Sequence, residues 1–168
     1  AHASELGVEV TATHVGRYPG VERSWIRSAT ALGIGDPEDL VRPDGARPGD
    51  ELVVSTGPAA EVAGLFATLY PERLGLDPGT VATAQRRVND IPAVEDALAA
   101  HRSGAVTAMH DATEGGIAGG LDEMADGAGV RFEIDAGAVP VAEGVDAVCS
   151  SIDVDPWRVT SCGTLLMA

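Results

Sequence analysis

The stretch Met109-His110-Asp111-Ala112-Thr113-Glu114-Gly115-Gly116 constrains this chain more than any other, because the hydrophobic period changes across it. Before it, Ala105 to Met109 reads as a short buried strand that stops at polar His110 and Asp111. After it, Ile117, Ala118, Leu121, Met124, Ala125 and Ala128 recur at helical spacing and define one apolar face. The octapeptide is therefore a strand-to-helix turn. Asp111 or Thr113 is placed to cap the helix by accepting free backbone N–H groups, and Asp111 to Glu114 has the spacing of a capping box. Gly115 and Gly116 are poor helix formers, yet they open this helix. Two readings fit them. Residues without Cβ let a phosphate approach a helix end whose N–H groups and dipole attract anions, or they simply let the turn pack closely.

A second turn of the same kind lies upstream. Leu52-Val53-Val54 is a compact apolar strand, and Ser55-Thr56-Gly57-Pro58 leads from it into a helix with proline near its first position. Val62, Leu65, Phe66, Leu69 and Tyr70 are the expected buried stripe of that helix, and Pro71 to Thr80 reads as loop. Asp90 is the expected cap of a further helix, with Pro92 in its first turn and Ile91, Val94, Leu98 and His101 on one face. His101 reads as a helix-end cation, and Arg86-Arg87 as a solvated pair. Gly127 and Gly129 stop the central helix. Val130 to Ile134 then alternates as a half-wet strand, and Val145, Val148, Cys149 and Ile152 share one face of a short helix. Asp155-Pro156-Trp157 is a turn. Thr164 to Met167 reads as a buried strand with nothing after it to cover it, which suggests a chain cut short.

Upstream of these elements, Glu5 to Thr13 alternates with Leu6, Val8 and Val10 on one side, Arg17 to Gly20 is a turn signal, and Trp25 to Leu32 is a second strand-like run. Two such strands cannot bury both faces alone, so the opening reads as the remnant of a larger unit. Gly33 to Gly49 is a break rich in Gly, Pro, Asp and Arg, and the domain boundary belongs there.

Composition narrows the function classes. With 26 acidic residues against 11 basic ones the formal net charge is −15, which repels nucleic acid and anionic membranes. Every basic residue apart from histidine is arginine. Dispersed acid of this kind is the expected dress of a protein adapted to high salt, where self-repulsion is screened. No run approaches a membrane span and no signal peptide is present, so the cytoplasm is the expected compartment. Cys149 and Cys162, without paired metal-ligand spacing, read as reduced structural thiols.

The ordered motifs MHDATEGG, IAGGLDEMA, AGVRFEID, VPV and VCSSIDVDPWRVTSCGTLL together resemble the C-terminal domain of the aminoimidazole ribonucleotide synthetase superfamily, from Pro48 to the end. That superfamily includes the formylglycinamidine ribonucleotide synthetase, selenophosphate synthetase, thiamine-monophosphate kinase and the hydrogenase-maturation carbamoyl dehydratase. The last of these, with archaeal synthetase-related proteins, is nearest in pattern. Thr13-His14-Val15-Gly16 with Pro19-Gly20-Val21 is similar to the end of the family's N-terminal domain, where GGHTE precedes a proline-glycine turn. Thr13, Val15 and Gly16 depart from that pattern, so the glutamate's role does not carry over.

The resemblance implies an α/β fold, a three-layer sandwich with a mixed sheet. Residues 1–46 would be the remnant of an ATP-binding, dimerising N-terminal domain, and residues 47–168 a C-terminal domain lacking its final elements. It implies ATP and Mg²⁺ as cofactors, a homodimer, a nucleotide or small-molecule substrate, and a maturation or amidotransferase partner protein. The implied reaction transfers the γ-phosphate to an amide-type oxygen to give an imidophosphate. Asp111, Thr113, Glu114, Gly115 and Gly116, with Thr56 and Gly57, would face phosphate or substrate, with Asp111 as a Mg²⁺ ligand. The family's ATP-binding lysine has no counterpart here, so this chain is expected to be inactive alone. Two alternatives are a non-catalytic dimerisation or maturation scaffold, and a kinase of the thiamine-monophosphate type. Glu114 opposes the kinase, whose pattern reads D-x-S-D-G.

Overall fold

The computed structural model describes residues 2–13, 29–91 and 93–168, the side chain of residue 2 excepted. The chain divides into two units, Ala1–Asp36 and Pro37–Ala168. In the first, α1 (His2–Glu5) ends on the first residue of the stretch expected to be a strand, Glu5 to Thr13, and residues 6–13 form neither helix nor strand. Leu6, Val8 and Val10 are exposed, so their alternation has no sheet to serve. The expected turn at 17–20 and residues 14–16 and 21 of the family-like motif lie outside the described residues. So do residues 25–28 of the second expected strand; its described part, residues 29–32, carries no strand.

The second unit is an α/β arrangement around a three-stranded sheet ordered β1-β3-β2. In chain order the strands are β1 (Val53–Val54), β2 (Met109–Asp111) and β3 (Leu165–Met167). Both pairings are antiparallel: Val54 and His110 lie opposite Leu166 from either side, and Asp111 lies opposite Leu165. The last apolar run is thus the central strand, and all three of its residues are buried. The upstream neighbour β2 sits later than the apolar run suggested. Residues 105–108 carry no strand, while His110 and Asp111 fall inside one. Pairing with the backbone of β3 sets that register and outweighs the apolar content of the run.

The helices pack into two cores, and the one built on α5 (Gly116–Ala128) covers the sheet. There α5 lays Ile117, Leu121 and Met124 against Ala108, Ala112 and Leu166, as its periodicity demands. In the other, α2 (Ala60–Leu69), α3 (Pro78–Gln85) and α6 (Val145–Ser151) meet through Ala63, Ala67, Val81, Ala84, Val145, Val148 and Cys149. The face that α2 buries is Ala60, Val62, Ala63, Gly64 and Ala67. Leu65, Phe66, Leu69 and Tyr70, the expected stripe apart from Val62, are exposed. Small residues win that face because they let α2 approach its neighbours closely. Phe66 and Tyr70 instead meet as a tilted pair, ring centres 5.8 Å apart at 53°, with the Arg73 guanidinium 5.3 Å from the Tyr70 ring centre.

Part of the expected loop at 71–80 belongs to α3, started by Pro78 behind Asp77, whose carboxylate accepts the N–H groups of Gly79 and Thr80. Helix α4 (Val94–Ser103) begins after Ala93, so Asp90 does not cap it. Asp90 closes a 3₁₀ turn, Arg86–Asp90, and pairs with Arg87 at 3.1 Å. Pro92 lies outside the described residues, and α4 buries none of its own, leaving Val94, Leu98 and His101 exposed. Helix α5 ends at Gly129 and α6 buries the expected face. Residues 130–134 send Val130 and Phe132 inward as expected, but they have no strand partner.

Candidate functional site

Because β1 and β2 each run antiparallel to β3, they run in the same direction, and the turns that follow them leave from one end of the sheet. The chain enters β3 at that same end, so residues 161–164 pass between the two turns. The hydrogen bonds record this. Ser161 Oγ accepts the Ala59 N–H at 2.7 Å, and the Ser161 N–H donates to Ala112 O at 3.1 Å. Thr164 Oγ1 donates to Gly57 O at 3.2 Å, and Thr164 O accepts the Ala112 N–H at 2.9 Å. Ser161 and Thr164 are both buried. One loop thereby clasps both strand-to-helix turns.

The α2 side of the clasp holds a strained residue. Ala59, the N-cap of α2, has φ 57° and ψ 18°, left-handed for a residue with a Cβ. No side chain caps α2; the N–H of its N-cap residue is held instead by Ser161, 102 residues away. Gly57 is needed for space, since a Cβ there would sit 1.9 Å from Pro140 O. Thr56 is half-buried beside it.

On the α5 side, neither Asp111 nor Thr113 caps the helix, and the capping box does not form. Gly115 is the N-cap and no side chain bonds to it. Asp111 is still in β2, so its carboxylate is spent on the Thr113 hydroxyl. The helix-end amides are answered by backbone: Gly116 N–H donates to Thr113 O at 3.3 Å and Ala118 N–H to Trp157 O at 2.9 Å. Gly116 (φ +63°) is buried, and a Cβ on it would lie 2.4 Å from Val159 O and 2.7 Å from Trp157 O. Close packing therefore accounts for Gly116. Gly115 (φ +76°) is exposed, as are Asp111 and Glu114, and Thr113 is half-buried. These four make the accessible part of the turn.

His110, next to Asp111, puts Nε2 2.7 Å from Glu123 Oε2 and Nδ1 3.6 Å from Asp111 Oδ1. Among the described residues no group of three His, Cys, Asp or Glu side chains is arranged to hold a metal. Asp111 is an exposed carboxylate that belongs to no such group. Neither cysteine is in a disulfide. Burial, with Asp146 and Asp155 adding to it, pushes the Cys149 thiol up to about 11, whereas Cys162 is half-exposed with Sγ 3.9 Å from Thr113 Oγ1.

Ser161, Thr164 and Glu61 are the members of this region that sequence reasoning gave no role, and Cys162 was read only as a structural thiol. The run Ser161-Cys162-Gly163-Thr164, small polar residues leading into a buried strand, was the signal for Ser161 and Thr164. A cleft of about 1110 Å³ lies elsewhere, between β1 and residues 129–140, with Ile117, Leu121, Phe132, Val139 and Trp157 among its walls. None of Thr56, Gly57 or Asp111 to Gly116 lines it.

Comparison with known proteins gives three relevant likenesses. A carbamoyl dehydratase HypE of Rhizobium leguminosarum bv. viciae is 33% identical over 139 residues, covering 82% of this chain and 38% of the relative. A hydrogenase maturation protein HypE solved in complex with ATP matches with TM-score 0.52 at 23% identity, over 77% of this chain and 37% of that one. A HypE–HypF complex matches with TM-score 0.53 at 23% identity, over 76% and 39%. The chain thus spans well under half the length of these proteins, and the two structures speak for the fold alone. No helix among the described residues is long and apolar enough to cross a membrane. Residues 47–168 match the model of the AIR synthase related protein, C-terminal domain, and the chain belongs to that family.

Proposed function

We propose that this chain is the C-terminal part of an ATP-dependent enzyme of the carbamoyl dehydratase type, preceded in residues 1–46 by the end of its nucleotide-binding, dimerising domain. ATP would supply a γ-phosphoryl group that activates an amide-type oxygen of the substrate. The observation that carries the reading is the convergence of both strand-to-helix turns at one end of the sheet, with Asp111, Thr113, Glu114 and Gly115 accessible there. Asp111 would share a Mg²⁺ with the phosphates, and Thr113, through its hydroxyl bond to Asp111, would hold that carboxylate in place. Gly115, with no Cβ on the open side of the turn, is where a phosphate or substrate oxygen would come nearest the backbone. Gly116 and Gly57 let the turns pack closely, and half-buried Thr56 stands beside Gly57 on the proposed ligand side. A second copy and a hydrogenase-maturation partner like that of the HypE–HypF complex are the proposed assembly. This chain alone, without lysine, would turn nothing over.

Isothermal titration of Mg-ATP into the complete gene product tests the reading. Saturable binding that Asp111→Asn weakens about tenfold is expected, a loss of the size of one charge-assisted contact. Absence of binding, or an affinity untouched by Asp111→Asn, would favour the non-catalytic scaffold.

A further inference from the structure

Glu61 lies in the first turn of α2, yet its carboxylate is bonded to a distant loop. Oε2 accepts the Thr160 hydroxyl at 3.0 Å and the Cys162 N–H at 3.2 Å, partners 99 and 101 residues away. Between those two residues Ser161 faces the other way, into the buried clasp between Ala59 and Ala112. The loop is thus pinned on both sides: inside by Ser161, outside by Glu61. Its next contact is with the candidate ligand turn, because Cys162 Sγ rests 3.9 Å from Thr113 Oγ1 and the Thr113 hydroxyl donates to Asp111. A continuous line runs from Glu61 through the loop and Thr113 to Asp111.

We propose that Glu61 is a positioning residue that holds the 160–163 loop against Thr113 and so fixes the orientation of Asp111 on the accessible face of the turn. The inference rests on the proposed function in that it takes this face as the one that meets the ligand. Loss of the Glu61 carboxylate releases two hydrogen bonds on the outer side of the loop and leaves the Ser161 clasp intact. The loop then opens locally while both cores stay closed.

The two cysteines read this out. Iodoacetamide labelling followed by mass spectrometry reports Cys162 as the loop probe and buried Cys149 as the internal control for global loosening. In Glu61→Ala, Cys162 is expected to label about tenfold faster than in the natural protein, the effect of losing the two solvent-facing hydrogen bonds to Glu61 on a local opening equilibrium. The Cys149 rate stays unchanged, and Glu61→Gln, whose amide oxygen still accepts, lies between. An unchanged Cys162 rate in Glu61→Ala, or acceleration of both thiols together, overturns the proposal. Mg-ATP is then added to the complete gene product. Protection of Cys162 in the natural protein that is lost in Glu61→Ala supports the positioning role, and equal protection in both overturns it. Protection in neither removes the nucleotide reading of the turn, while the rates without nucleotide still judge the loop clamp by themselves.

Discussion

Replacing Gly115 and Gly116 one at a time by alanine separates packing from ligand approach. Both residues have positive φ, so either alanine adopts a left-handed conformation at a cost of about 1 to 2 kcal/mol. At Gly115 the new methyl meets Gly119 Cα at 3.3 Å, which a small shift of α5 relieves. At Gly116 it meets two backbone carbonyls, Val159 O at 2.4 Å and Trp157 O at 2.7 Å, and no rotamer removes a Cβ. Overpacking of that kind adds about 1 to 3 kcal/mol, and the Ala118 N–H bond to Trp157 O is strained with it. Gly116→Ala is therefore expected to cost about 2 kcal/mol more than Gly115→Ala, about a thirtyfold difference in the folding equilibrium. In urea, with a slope of about 2 kcal/mol per molar, the midpoints differ by about 1 M. Equilibrium urea unfolding of the two variants beside the natural protein is the assay. Equal midpoint shifts, or a larger one at Gly115, would refute the claim that the second glycine is fixed by packing against residues 157–159.

Ser161→Ala removes the acceptor for the Ala59 N–H and leaves a buried donor unpaired, a cost of about 1 to 3 kcal/mol; an unshifted urea midpoint would show that this bond does not hold the start of α2. Acid sensitivity follows from Asp50 and Asp77. The Thr107 hydroxyl and Arg47 N–H lower the Asp50 pKa, and the Thr80 hydroxyl with the Thr80 and Gly79 N–H groups lowers that of Asp77. Because the folded pKa values lie below the unfolded ones, the stabilisation is whole above about pH 4 and drains away as pH falls through the folded values. The Tm should therefore drop on acidification below about pH 4, less steeply in Asp50→Asn and Asp77→Asn; curves parallel to that of the natural protein would contradict this.

What the sequence made legible is what neighbouring residues decide. Helix α5, with Ile117, Leu121 and Met124 in register, and helix α6, with Val145, Val148 and Cys149, follow from period alone. So does the buried character of Leu165-Leu166-Met167. Helix α2 was legible as a helix but not as to its face: Leu65, Phe66 and Leu69 are the more hydrophobic choice, and the closer fit of Ala63 and Ala67 against α3 and α6 exists only in three dimensions. Asp77-Pro78 is a local start signal that stands in the sequence and was read as loop. The contacts at the starts of α2 and α5 could not be read locally, because the Ala59 N–H is answered by Ser161 Oγ and the Ala118 N–H by Trp157 O, far along the chain.

Electrostatics bears hardest on what the turn can receive. Asp111 and Glu114 stand on its accessible face, in a chain of formal charge −15 without one lysine. The neighbouring imidazole of His110 is held by Glu123 at 2.7 Å and turned toward that carboxylate. Two of the helix-end amides are bonded to Thr113 O and Trp157 O. A bare phosphate meeting this surface would face like charge with few donors to offset it, and exposed carboxylates at short range oppose it by about 1 kcal/mol each in water. The same carboxylates become an asset once the phosphate carries a divalent cation, since Mg²⁺ takes one or two protein oxygens and completes its shell with phosphate and water. If the turn meets phosphate as proposed, its acidity would favour a metal-complexed phosphate over a free one, and would leave the direct cationic contacts to a surface other than its own.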